Sequence, residues 1–201
     1  GGTAAAFYIY GSNNNVLANN TITNIKGGMG GEGESDENGE KGGTAAGFYV
    51  ENSHEITIND NNITNLMGGT GGYAGIGADG GIGGVASAIY ITGTSSMLSF
   101  TNNYAKNLMG GTGGLAGSYD GGKGGIAAGA FLVALTSSFN SNPIILTNNT
   151  FVNITGGLGG HSEYAGNGGD AGGAYLTGLT PDFPVILNNN SISNITGGAG
   201  L

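Results

Sequence analysis

GGTAAGFYVENSHEITINDNNITNLMGG, Gly42 to Gly69, recurs with variation along the whole chain, and each copy runs on into a glycine-rich tail. A Gly-Gly pair opens the copies at Gly1, Gly42, Gly83, Gly124 and Gly172, so the spacings are 41, 41, 41 and 48 residues. A second pair closes the apolar part at Gly27, Gly68, Gly110, Gly156 and Gly197. Repeats of this length mark a solenoid, in which each copy can bury its apolar face only against its neighbours. The 201 residues are therefore read as one array, with copies 1–41, 42–82, 83–123, 124–171 and a partial 172–201.

Aligning the copies exposes the period. Behind the opening glycines lie TAAAFYIY, TAAGFYVE, VASAIYIT, IAAGAFLV and AYLT. One column holds Phe7, Phe48, Ile89, Ala130 and Ala174, and two residues on another holds Ile9, Val50, Ile91, Leu132 and Leu176. Both are apolar throughout, as the inward face of a strand requires. Between them, facing away, stand Tyr8, Tyr49, Tyr90, Phe131 and Tyr175. A loop of variable length follows: SNNN, NSHE, and TSSFNSNP in the fourth copy. The second strand contributes Leu17, Ile58, Phe100, Leu146 and Leu187. A third gives Ile22, Ile63, Ala105, Phe151 and Ile192, then Ile25, Leu66, Leu108, Ile154 and Ile195.

Asparagine marks the corners. One column is Asn20, Asn61, Asn103, Asn149 and Asn190; another is Asn24, Asn65, Asn107, Asn153 and Asn194. Asparagine tolerates the left-handed conformation of a sharp bend, and stacked amides can bond to one another along a column. Three short strands per copy with asparagine corners predict an all-β fold. It is a single-stranded parallel β-helix of about five rungs, with the glycine-rich excursions on one side. The excursions MGGEGESDENGEK, TGGYAGIGADGGI, TGGLAGSYDGGK and LGGHSEYAGNGGDA lack apolar alternation. Either they are loops leaving one corner, or they pack on each other as polyproline-II-like strands, which glycine permits at close spacing.

Composition narrows the function. Charged residues make up 8% of the chain, which carries a net charge of −9, four lysines and no arginine. Nucleic acid is a poor partner for such a surface. The chain has no cysteine, hence no disulfide frame and no thiolate chemistry. No run approaches the length of a membrane-spanning helix. The sequence begins on a Gly-Gly pair without Met and stops just past another, so it is expected to be a piece of a longer or processed protein.

GGAYLTG, GGVASAIYITG, SFTNNYAKN and FVNIT resemble the repeats of polymorphic outer-membrane proteins. More broadly, they are similar to right-handed parallel β-helix passengers of surface adhesins and to pectin-lyase-like proteins. The acidic, glycine-rich excursions depart from that pattern. The resemblance implies display or adhesion at a cell surface and transfers no catalytic residue.

Four sets of residues are candidate sites. The stripe Tyr8, Tyr49, Tyr90, Phe131 and Tyr175 is either a platform for sugar rings or a neighbouring fibre, or a second packed layer beneath the excursions. Acids near the excursion ends, Asp36 and Glu37, Asp79, Asp120 and Asp170, offer hard oxygen ligands in glycine-rich turns. Asp79, Asp120 and Asp170 are the residues calcium would take, against the plainer reading of solvated loop acids; no other cofactor is implied. Six N-x-[ST] sequons, at Asn19, Asn62, Asn148, Asn153, Asn189 and Asn194, are acceptors for N-glycosylation where they are accessible. An enzyme would need a broken repeat with converging acids and bases. Asp60 shares its column with Asn19, Asn102, Asn148 and Asn189, while His54 and His161 lie in different loop classes and Lys26, Lys41, Lys106 and Lys123 are scattered. The expectation is a non-enzymatic, extracellular structural protein that stacks on itself head to tail into a fibre or stalk. Its alternatives are a monomeric adhesin or glycan-binding β-helix and, further off, a polysaccharide-cleaving or an ice-binding protein.

Overall fold

Apolar residues at alternate positions, bounded by glycine and asparagine, give every copy three strands. The computed structural model describes residues 1–136, 143–180 and 183–200, and among these there are fifteen strands and no helix. The first strand of each rung is β1 (Ala4–Tyr10), β4 (Ala45–Glu51), β7 (Ala86–Thr92), β10 (Ala127–Val133) or β13 (Ala171–Thr177). The second is β2 (Val16–Ala18), β5 (His54–Asn59), β8 (Ser96–Thr101), β11 (Ile144–Thr147) or β14 (Val185–Asn188). The third is β3 (Thr21–Lys26), β6 (Asn62–Met67), β9 (Tyr104–Met109), β12 (Thr150–Thr155) or β15 (Ser191–Thr196). Each strand pairs in parallel with its counterparts in the rungs before and after, giving three five-stranded sheets. This is the expected five-rung parallel β-helix. Residues 137–142 of the fourth-copy loop lie outside the described residues.

The inward columns stack in register. Phe7, Phe48, Ile89, Ala130 and Ala174 are successive partners in the first sheet, as are Ile9, Val50, Ile91, Leu132 and Leu176. Leu17, Ile58, Phe100, Leu146 and Leu187 do the same in the second. In the inner rungs these columns join Ile63, Leu66, Leu108, Phe151 and Ile154 of the third sheet in one continuous buried core, with Phe7 and Leu17 of the first rung packed against it. Large and small residues alternate across it: a Cβ on Gly129 would stand 2.4 Å from Cδ1 of Phe151, so glycine makes room for the ring.

The corners separate two roles that the sequence merges. Left-handed backbone falls on Asn19, Asp60, Asn102, Asn148 and Asn189, one residue before the Asn20 column. The Asn20 column itself turns inward and bonds along the axis. Its second counterpart, the Asn24 column, is left-handed (φ 54 to 60°) and sits inside the third strand. That single residue reverses the alternation, which explains how Ile22 and Ile25, three apart, both point into the core. A third left-handed corner, after the first strand, runs Gly11, Asn52, Gly93, Ala134 and Gly178.

Between rungs the glycine-rich excursions pack on each other in two layers of polyproline-II-like arms. Outgoing arms bond to the next outgoing arm at every third residue: Gly27 to Met67, Gly30 to Thr70 and Gly33 to Tyr73. Returning arms do likewise, Gly39 to Asp79 and Gly42 to Ile82. A three-residue period is that of polyproline II. The layers are joined by a zigzag of glycine amides, Gly28 to Gly2, Gly43 to Gly28, Gly69 to Gly43, Gly84 to Gly69 and onward to Gly198, at 2.7–2.9 Å. So close an approach forbids side chains. A Cβ on Gly111 would lie 1.9 Å from the carbonyl oxygen of Gly69.

The arms also correct the boundary of the fifth copy. Ala127 pairs with Ala171, and Ala128 with Gly172, so Gly172 lies within the strand opposite Ala128. The pair equivalent to Gly124–Gly125 is Gly168–Gly169, as the bonds Gly157 to Gly125 and Gly169 to Gly157 require. Several Gly-Gly pairs lie close together in this stretch, and only the ladder singles out the structural one.

Candidate functional surfaces

The first sheet turns its outward column into an aromatic stack. Tyr8, Tyr49, Tyr90, Phe131 and Tyr175 lie with ring centroids 4.8 to 5.2 Å apart and interplanar angles of 1 to 15°. Strand spacing sets this distance, which is that of parallel ladders. Both faces of Tyr49, Tyr90 and Phe131, and one face each of Tyr8 and Tyr175, are thus taken up by the stack, and along the stripe it is ring edges that point outward. A sugar ring packs on an aromatic face, so the stripe is not a platform of the kind that reading requires. Coverage is graded along the stripe. Phe131 is 5% exposed, in a cluster with Val85, Ala128, Ile126 and Val133, whereas Tyr8 is 58% exposed. Val85 and Ile126 come from the ends of returning arms.

The phenols differ accordingly. The Tyr8 hydroxyl donates to Oε2 of Glu51 at 2.9 Å, and this bond, with the added charge of Glu51, pushes its pKa up to about 12. Tyr90 is also pushed up to about 12, here first by burial and then by Tyr49 and Glu51. Burial raises Tyr49, with Glu51 adding to it. In each case the neutral phenol is favoured. Glu51 was not among the expected site residues. Its place two residues after Tyr49, in the position held by Tyr10 in the first copy, is the sequence signal for it.

The asparagine columns are amide ladders. In the buried one, the backbone N–H and the amide of Asn20 both donate to Oδ1 of Asn61; Asn61, Asn103 and Asn149 repeat this toward Asn103, Asn149 and Asn190 at 2.9–3.1 Å. In the outer one the amides of Asn65, Asn107, Asn153 and Asn194 donate to Asn24, Asn65, Asn107 and Asn153. A shorter serine ladder, Ser12 N–H to Ser53 Oγ and Ser53 N–H to Ser95 Oγ, secures the first corner. The recurrence of serine at Ser12, Ser53 and Ser95 is the sequence signal for it. The sequon residues Asn19, Asn62, Asn148, Asn189 and Asn194 are exposed, and Asn153 is half-buried, so the buried corner column contains none of them.

The acidic residues do not assemble. Asp79 and Asp120 share a column with Asn38 and Tyr164, while Asp170 belongs to the column of Val85 and Ile126. Asp79 Oδ1 accepts the backbone N–H of Asp120 at 3.2 Å, and Asp170 pairs with Lys123 at 3.4 Å on an exposed surface. Asp36 stands at the tip of the first excursion with φ 65°. Among the described residues no three His, Cys, Asp or Glu side chains come together to hold a metal ion. The three-residue register of the arms places Asp79 and Asp120 on successive rungs and Asp170 in a different column, an arrangement of loop acids spread along the axis. Asp60 is a corner residue whose Oδ2 accepts the amide of Asn59, and His54 Nδ1 contacts Ser96 Oγ at 2.7 Å across neighbouring strands.

No protein-family model matches the chain, and no curated protein sequence matches it. Among solved structures it is similar to the springtail antifreeze protein from Granisotoma rainieri, a bundle of nine polyproline type II helices. The two are 21% identical, over 77% of this chain and 94% of that one, with a TM-score of 0.19. It is also similar to the periplasmic alginate epimerase AlgG, at 11% identity, over 79% of this chain and 50% of that one, with a TM-score of 0.19. The chain thus spans half the length of the epimerase. The fold rests on the strand ladders themselves.

Proposed function

We propose that this chain is an extracellular or cell-surface structural protein whose rungs add head to tail into a fibre or stalk for attachment or matrix. In this reading its first partner is another copy of itself, and it performs no reaction. The observation that carries it is the polarity of the axial ladders. In the buried asparagine column each rung donates to the next, which puts the acceptor Asn20 Oδ1 at one end and the donor Asn190 N–H at the other. The outer column runs the opposite way, from the amide of Asn24 to Oδ1 of Asn194. Each end thus offers what the other lacks. The last rung also bares Leu187 and Ile192, both 50% exposed, where Leu146 and Phe151 one rung earlier are buried. Leu17 and Ile22 of the first rung occupy the same columns. A contact between unlike ends does not close, so it propagates.

A further rung of the same polypeptide would meet the same ladders as a second copy. Electron microscopy with light scattering on the purified protein separates the two. Unbranched filaments, lost on Leu187→Lys with the strand content unchanged by circular dichroism, are expected. A monodisperse monomer at high concentration would overturn the fibre and leave a displayed adhesin rod as the better account.

A further inference from the structure

The chain holds nine tyrosines, no tryptophan and no cysteine, so phenols are its most readily available one-electron donors. Among the described residues, Tyr8 is the one tyrosine whose hydroxyl donates to a carboxylate, Glu51, at 2.9 Å. A phenol that loses an electron becomes a strong acid, and oxidation is easiest where a base already holds the proton. The ring of Tyr8 also lies 4.8 Å from that of Tyr49, itself 4.8 Å from that of Tyr90, and parallel stacking spreads a positive hole over several rings. Finally, Tyr8 is 58% exposed, so an oxidant reaches it. Tyr10, on the same strand and 63% exposed, shares the access without the carboxylate bond or the stack.

We infer that Tyr8 is an oxidative cross-linking site: a diffusible one-electron oxidant converts it to a phenoxyl radical, and two such radicals from two copies of the chain join as dityrosine. The balance is simple. Each Tyr8 gives one electron to the oxidant and its hydroxyl proton to Glu51. The two radicals form one carbon–carbon bond between ring positions ortho to oxygen, and each ortho hydrogen then moves to its ring's oxygen, restoring both phenols. Two tyrosines thereby lose two electrons and two protons in all. Coupling between Tyr8 and Tyr49 within a copy is excluded by geometry, because rings held face to face at 4.8 Å cannot come edge to edge. The inference does not depend on fibre formation.

The test is oxidation of the intact chain by azide radicals, read by dityrosine fluorescence, denaturing electrophoresis and peptide mass spectrometry. The expected product is a covalent dimer linked Tyr8 to Tyr8. Tyr8→Phe should lower its yield at least fivefold, Glu51→Gln should slow it severalfold, and Tyr10→Phe should leave it unchanged. Equal modification of Tyr8 and Tyr10 would overturn the proposal, as would full reactivity in the Glu51→Gln chain. Peptide mapping keeps the outcome separate from the fibre reading, since a monomer in microscopy could still cross-link at Tyr8 on diffusional encounter.

Discussion

The rungs and the arms hold the same axial ladder of backbone hydrogen bonds by opposite means. In the rungs the strands are kept apart and oriented by side chains, with Phe48, Leu66, Leu108 and Phe151 filling a narrow interior. In the arms the backbones meet directly along the glycine zigzag, and the side chains buried among them are small, Ala74, Ala78 and Ala116. Backbone carbonyls and amides meet across the two layers, and every position in the zigzag from Gly2 to Gly198 is glycine. One region is stabilised by apolar burial and the other by dense hydrogen bonding at the entropic cost that glycine imposes. The comparison teaches that a side chain is required in one region and forbidden in the other, at the same axial repeat.

The sharpest way to break the rung side is Leu66→Asp. Leu66 is 1% exposed and stacks between Ile25 and Leu108, so a carboxylate there has neither water nor partner. A loss above about 4 kcal/mol is expected, seen as collapse of thermal unfolding and rapid proteolysis around the second rung. Retention of the wild-type melting temperature would show that the columns do not form the core.

On the arm side the matching change is Gly111→Ala. The added methyl meets the Gly69 carbonyl at 1.9 Å, and backbone, unlike a side-chain tip, cannot rotate away. Destabilisation of at least about 2 kcal/mol is expected. Gly2→Ala, where nothing lies within 4 Å, should stay within about 0.5 kcal/mol in the same denaturation series. Equal effects at the two positions would mean that the arms are not packed as described.

Alkaline titration gives a smaller effect and tests the outer aromatic layer. Tyr8 and Tyr90 are raised from 10.0 to about 12, so the folded chain holds their protons more tightly than the unfolded one. Their contribution is complete below pH 10 and is lost as the pH climbs from 10 toward 12. Thermal stability should therefore fall across that window, together with late phenolate absorbance. In Glu51→Gln the Tyr8 phase should move down, while that of Tyr90, raised mainly by burial, should remain high.

How much of this was legible in the sequence follows the same division. Columns such as Ile9, Val50, Ile91, Leu132 and Leu176 could be read because side-chain packing writes itself as residue type. Which residue bends at the corner is hidden in the sequence because Asn19 and Asn20 are both asparagine, and only φ shows that it is Asn19. The arms stayed open between loops and packed strands. Glycine is equally suited to both, and the feature that decides, bonds at every third residue, belongs to the backbone. The Tyr8–Glu51 pair was missed for a related reason. It joins unlike positions in adjacent copies, whereas aligning a repeat reveals like positions.

The mildest change probes the arm edge, where the two regions differ least from ordinary surface. Asp79 sits on a returning arm, exposed, with one oxygen accepting the Asp120 N–H at 3.2 Å. Water can replace that acceptor in Asp79→Ala, because the N–H lies at the same exposed edge. Its column neighbours are Asn38 and Asp120, so the substitution also removes a negative charge from beside another, a small gain that offsets the lost bond. The net change should lie within about 0.5 kcal/mol of zero by chemical denaturation. Added calcium should shift the midpoint of neither the parent nor the variant. A large destabilisation in Asp79→Ala, joined to a calcium-dependent rise in the parent alone, would mean that the carboxylates converge on an ion after all.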